Sequence, residues 1–167
     1  MANMADQDVQ RLVSEVAAGL EALRERGISP ENALKLAQMR TAARGIPVSV
    51  FNSKLGALES IVKYMREELF LDYPTIASML ERNAGPIGVT YRRSVLKLKS
   101  RLDTSSKEII PYEALRANKT GLSIFEGLAY HLAKQGHDWH EIARMLHRHD
   151  KTVWTVLDRA KRKMRAI

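Results

Sequence analysis

With 167 residues, 45% of them apolar, the chain has room for one substantial domain or for two or three small ones, and its composition excludes wholesale disorder. It contains no cysteine, which excludes disulfides and thiolate metal sites and fits a reducing cytoplasm. There is no apolar run of membrane-spanning length and no short apolar segment with a cleavage site near the start, so no membrane role is expected.

The net charge is +8, and its placement matters more than its total. Residues 1–45 carry six cations and six anions, residues 46–101 nine and five, and residues 102–167 twelve and eight. The excess therefore lies in the last two segments. Basic charge of this kind favours polyanions, because bound phosphates release their counterions. Aromatics are scarce, prolines fall mostly between apolar-periodic stretches, and no segment alternates as a half-buried strand does. The fold class is all-α.

Residues 5–26 repeat apolar positions at Val9, Leu12, Val13, Val16, Ala17, Leu20 and Leu23, one stripe on an amphipathic helix. Gly27 is placed to end it, Ser29 to cap the next helix and Pro30 to open it. That second helix runs to about Ala43, before Arg44-Gly45 and Ile46-Pro47. The two make a helical hairpin over residues 1–45. Two roles remain for it: an extra layer of core, or a dimerisation arm that pairs with a second copy. Its stripe is too short for a sustained heptad signal.

The remainder is an internal repeat. Ile46-Pro47 recurs as Ile110-Pro111. Leu55, Leu58, Glu59 and Ile61 match Leu122, Phe125, Glu126 and Leu128 at one offset. Asp72-Tyr73, Ile76-Ala77, Met79-Leu80 and Arg82 match Asp138-Trp139, Ile142-Ala143, Met145-Leu146 and Arg148 at an offset shorter by one, and Arg93 matches Arg159. The offset changes between helices, where loop length varies. Residues 46–101 and 102–167 are therefore two copies of one unit. Each predicts a helix of about fourteen residues (Leu55–Leu69 and Leu122–Gln135), then a shorter helix, a turn, and a final helix that becomes basic. Leu98 to Glu108 reads as the connector.

The second copy is the sharper one. In Asp138 to Arg165, Trp139, Ile142, Ala143 and Leu146 take core spacing on the first short helix. Asp150 is placed to cap the next, on which Val153, Val156 or Leu157, Ala160 and Met164 face inward. Lys151, Thr152, Trp154, Thr155 and Asp158 are left outward. This stretch resembles the promoter-reading, C-terminal helix-turn-helix domain of bacterial sigma factors and related regulators. The residues that carry the resemblance are Glu141-Ile142-Ala143, Leu146, Thr152-Val153 and Arg159-Ala160-Lys161-Arg162. It covers about 45 residues in the second copy and, more weakly, about 45 in the first.

The resemblance implies that the last helix lies in the major groove of double-stranded DNA, with Lys151, Thr152, Trp154, Thr155 and Asp158 nearest the bases. It leaves Arg148, Arg159, Lys161, Arg162 and Lys163 for phosphates, which position without reading sequence. In the first copy the basic helix end supplies Arg92, Arg93 and Lys97. That copy departs from the pattern. Gly88 stands where Trp154 stands, at a cost in helix stability, and only Thr90, Tyr91 and Arg92 remain as outward polar groups. Nothing resembles a sigma factor's polymerase-binding domain, so polymerase recruitment is not implied. Trp154 has two readings: contact with thymine methyls or a sugar, or packing against a neighbouring helix.

His137, His140, His147 and His149 lie close in sequence, but they fall at a helix start and a turn with no cysteine to assist. They read as solvated rather than metal-binding. No phosphate-cradling glycine loop and no nucleophile-plus-base motif is present, so neither an enzyme nor a cofactor is expected. The reading is a cytoplasmic DNA-binding protein, a transcriptional regulator with two tandem helix-turn-helix units behind a hairpin. The alternative is an adaptor or structural protein that binds a protein partner through the first unit or the hairpin.

Overall fold

The computed structural model describes residues 4–42, 45–116 and 121–166, and the side chains of these except at 4–5, 36 and 38–42. It is all-α, with eight α-helices and one two-strand ladder among the described residues. The chain divides into two compact units, Met1–Thr41 and Ala42–Ile167.

In the first unit, α1 (Met4–Glu25) and α2 (Pro30–Ala42) are joined by a short turn. Gly27 takes a φ of +77°, a left-handed position that glycine occupies at no steric cost. The amides of Gly27 and Ile28 donate to the carbonyls of Arg24 and Leu23, both at 2.9 Å, closing the helix end. The Ser29 hydroxyl accepts from the Asn32 amide at 3.3 Å as the cap of α2. The expected last residue of this helix, Ala43, lies outside the described residues. Along α1, Val9, Leu12, Val13 and Val16 are exposed within this unit.

The second unit holds both copies of the repeat. The first consists of β1 (Ile46–Pro47), a 3-10 turn (Val48–Val50), α3 (Ala57–Glu67), α4 (Tyr73–Leu80) and α5 (Ala84–Lys97). The second consists of β2 (Ile109–Ile110), a 3-10 turn (Tyr112–Leu115), α6 (Ile124–Lys134), α7 (Trp139–Met145) and α8 (Asp150–Arg165). Asp72 caps α4 by accepting from the Thr75 amide at 2.9 Å, and Asp138 caps α7 by accepting from the Glu141 amide at 2.8 Å. The copies also share their left-handed backbone positions. Phe70 (φ 56°) corresponds to Gly136 (φ 99°), and Glu81 (φ 54°) to His147 (φ 50°). Each copy packs its three helices on buried side chains at matched positions, Ile61, Ile76, Leu80 and Ile87 in one and Leu128, Ile142, Leu146 and Val153 in the other.

The ladder was not legible in the sequence, because two residues per strand are too short to show alternation. It joins the copies. Ile46 lies opposite Ile110 and Pro47 opposite Ile109, antiparallel. Ile46 and Ile110 are equivalent residues of the repeat, so an antiparallel pair between them has a local two-fold axis. One further contact keeps that form. The equivalent helices α3 and α6 pack on each other. The 3-10 turn of the second copy lies against α4 of the first, while Arg148, after α7, reaches the loop that follows the 3-10 turn of the first.

Candidate nucleic-acid interface

Four sequence expectations meet a different arrangement. Asp150 is the first residue of α8 rather than its cap. His149 holds the cap position, and the Asp150 carboxylate lies 2.8 Å from His140 Nδ1. Arg148 turns its guanidinium to the carbonyls of Asn52, at 2.9 Å, and Leu55, so it ties the copies together and is not a free phosphate ligand. Lys163 donates to Glu126 Oε2 at 2.8 Å and to the Gly121 carbonyl at 3.1 Å. Lys97 donates to both carboxylate oxygens of Glu59, at 2.8 and 2.9 Å.

Lys97–Glu59 and Lys163–Glu126 are one device in two copies. Each glutamate also accepts from the backbone amide that opens its own helix, Gly56 at 2.8 Å and Ser123 at 2.7 Å. A basic residue near the end of the third helix thus locks the start of the first. Preservation in both copies was the signal that these lysines serve the fold. Burial pushes the carboxyls of Glu59 and Glu126 up, but the lysine and the amide outweigh it and hold both below the usual glutamate range. A depressed carboxyl stabilises the fold above its unfolded pKa, and that contribution is lost as pH falls through the folded value. Lys163→Met is expected to cost about 1 kcal/mol near neutral pH, below the roughly 1.5–3 kcal/mol of a hydrogen bond to a charged group, because the lysine is 45% exposed and water screens the pair. The difference from wild type should shrink in acid, as read by urea midpoints across pH. A constant difference down to strongly acid pH would contradict this account.

The remaining predicted residues sit on the outer side of α8. Val153, Leu157 and Ala160 are buried and turn the opposite face outward. Lys151 and Thr152 are exposed in the first turn, and Thr155 is half-buried with its hydroxyl donating to the Lys151 carbonyl at 2.8 Å. Trp154 is 57% exposed, which places it outside the core. His149, Lys151, Thr152, Thr155, Val156 and Arg159 line an open depression along this helix. Asp158 forms an i,i+4 ion pair with Arg162, which holds its carboxyl below the usual aspartate range. Arg159 and Lys161 are exposed, as is Arg165 beyond the expected anchors. The helix carries six cations and two carboxylates.

The matched face of α5 keeps Arg93 in the place of Arg159 but differs at its other outward positions. Gly85 and Pro86 stand for Lys151 and Thr152, Val89 for Thr155, Val95 for Lys161 and Leu96 for Arg162. Gly88 is buried against the Tyr73 ring, which a Cβ there would meet at 3.4 Å. Thr90 donates to the Pro86 carbonyl at 2.8 Å and Tyr91 to Glu67 at 3.2 Å. Val89 and Leu96 are exposed, Leu96 at 80%. Only Arg92 and Arg93 remain as exposed cations at the expected positions of this helix, since Lys97 is engaged.

The histidines do not converge. His137 Nε2 meets Glu108 Oε1 at 2.6 Å, and His140 meets Asp150. No group of three or more metal-ligating side chains gathers among the described residues. No helix among them is long and apolar enough to cross a membrane. No family model matches the chain, and no curated protein and no solved structure matches it either.

Proposed function

We propose that this chain is a DNA-binding protein, a transcriptional regulator in which α7 and α8 act as a helix-turn-helix like that of sigma-factor C-terminal domains. The observation that carries the reading is the contrast between two helices of one repeat. At matched outward positions α8 presents Lys151, Thr152, Thr155, Lys161 and Arg162, where α5 presents Gly85, Pro86, Val89, Val95 and Leu96. Lys151, Thr152, Trp154 and Thr155 are the base-reading set, being early on the helix and outward. Asp158 takes part only as the partner of Arg162. Arg159, Lys161 and Arg162 supply phosphate anchors, with Arg92 and Arg93 of α5 as a weaker second set.

A gel-shift titration on genomic fragments across salt tests this. Binding is expected to weaken with a log–log slope of about −0.9 for each phosphate neutralised. Arg159→Ala is expected to weaken all sequences alike and to reduce that slope by about 1. Lys151→Ala is expected to lower discrimination between sites by about 1–3 kcal/mol instead. No binding at low salt would sink the reading, and equal losses on cognate and random DNA for both variants would sink the division of roles.

A second reading, an adaptor that binds protein through α5, is favoured by one observation: the exposed Val89 and Leu96. Pull-down from a nuclease-treated extract separates the two. A partner lost on Leu96→Glu but retained on Arg159→Ala supports the adaptor.

A further inference from the structure

The stripe Val9, Leu12, Val13 and Val16 on α1 is 55–62% exposed, a run of large aliphatic side chains along one face of a 22-residue helix. We infer that this face pairs antiparallel with α1 of a second copy of the chain, centred on Val16. The charges beside the stripe carry the choice of occupant. At 3.6 residues per turn, residues eighteen apart lie about five turns apart and share one side of a helix. Asp6 and Arg24 therefore flank the stripe on one side, and Asp8 and Arg26 on the other, with Arg26 in the turn that follows the helix. Both flanks are acidic at the start of α1 and basic at its end.

A two-fold axis perpendicular to the helices brings like flanks together in reversed order. Val16 meets its own copy, Val9 meets the partner's Leu23, and Leu12 meets the partner's Leu20. Asp6 then lies within about 3 Å, along the axis, of the height of the partner's Arg24, and Asp8 stands in the same relation to the partner's Arg26. Opposite charges meet on both flanks, and the helix dipoles oppose. Glu15 is the one acid brought near its own copy, and it is already paired with Arg11 at 3.5 Å. A parallel pair fails the same test. Its axis runs along the helices and brings opposite flanks together at equal height, so Asp6 faces the partner's Asp8 and Arg24 the partner's Arg26. Like charges in such a contact are destabilising.

The test uses the full chain, nuclease-treated, by sedimentation at micromolar concentration. The wild type is expected at the mass of two 18.9 kDa chains, and Val16→Glu is expected to halve that mass without loss of helical circular dichroism. Val16 is 62% exposed, so the folded monomer tolerates the charge. Since the chain has no cysteine, Val9→Cys and Leu23→Cys report orientation directly. An equimolar mixture is expected to give the mixed disulfide, whereas each variant alone gives little. A monomeric wild type, or a dimer that survives Val16→Glu, overturns the inference. Efficient cross-linking of Val9→Cys with itself overturns the antiparallel arrangement. DNA binding plays no part in these readouts, so they stand or fall apart from the proposed function.

Discussion

Glu67→Ala is expected to lower folding stability by about 3–5 kcal/mol, the range for stripping one partner from a buried ion pair. The Lys63 side chain is completely buried on α3, and its ammonium donates to Glu67 Oε1 at 2.6 Å. Tyr91 of α5 donates to the same oxygen at 3.2 Å. Truncating Glu67 leaves an ammonium out of water with no carboxylate, and it also removes the Tyr91 hydrogen bond. Chemical denaturation reads the loss. The double variant Lys63→Met/Glu67→Leu is expected to recover most of it, because a buried ion pair is often replaceable by apolar groups of similar volume. A loss below about 1 kcal/mol in the single variant would mean that the ammonium has found water or another acceptor. The second copy solves the same place on its helix differently. There Tyr130 and Lys134 occupy the matched positions, with the ammonium 5.5 Å from the ring centroid.

The second large effect is expected at Gly127, on the side of α6 that meets the 3-10 turn before it. A Cβ added there would lie 2.1 Å from the carbonyl oxygen of Ala114. The obstacle is backbone, so no side chain can swing away. Gly127→Ala should therefore cost about 3 kcal/mol or more, at the upper end of overpacking effects. Gly127→Ser should be at least as harmful, although Ser60 holds the matched, fully buried position in the first copy. A fall in the thermal midpoint with both substitutions checks this. A neutral Gly127→Ser would show that the two helix–turn contacts are interchangeable.

Local signals in the sequence carried far. Gly27 at the end of α1 and Ser29 act within three or four residues of themselves, and each helix stripe has its own period. Spacing alone could place them. The duplication extended that reach by marking which core positions recur. What escaped is what depends on pairing across the chain. Arg148 looks like any arginine of a basic helix-turn-helix until Asn52 and Leu55 are brought beside it from 96 and 93 residues away. Lys97 and Lys163 read as phosphate anchors because net charge does not reveal that a glutamate 38 or 37 residues earlier holds each. The displaced cap at Asp150 is a smaller case: His149 and Asp150 differ by one position, and helix ends are the least sharply encoded boundaries.

The ladder between Ile46 and Ile110 has a consequence for how the two copies came to differ. A contact that maps onto itself by a two-fold is one that two identical chains can make. Held in one polypeptide, the halves meet at an effective concentration set by the connector rather than by abundance. The pairing is then insensitive to dilution, and symmetry no longer obliges both halves to carry the same surface. An ancestral pair of identical chains could change a residue only in both places at once. In this chain one half can keep its cations while the other replaces lysine and arginine with glycine and leucine, and the joint between them is untouched.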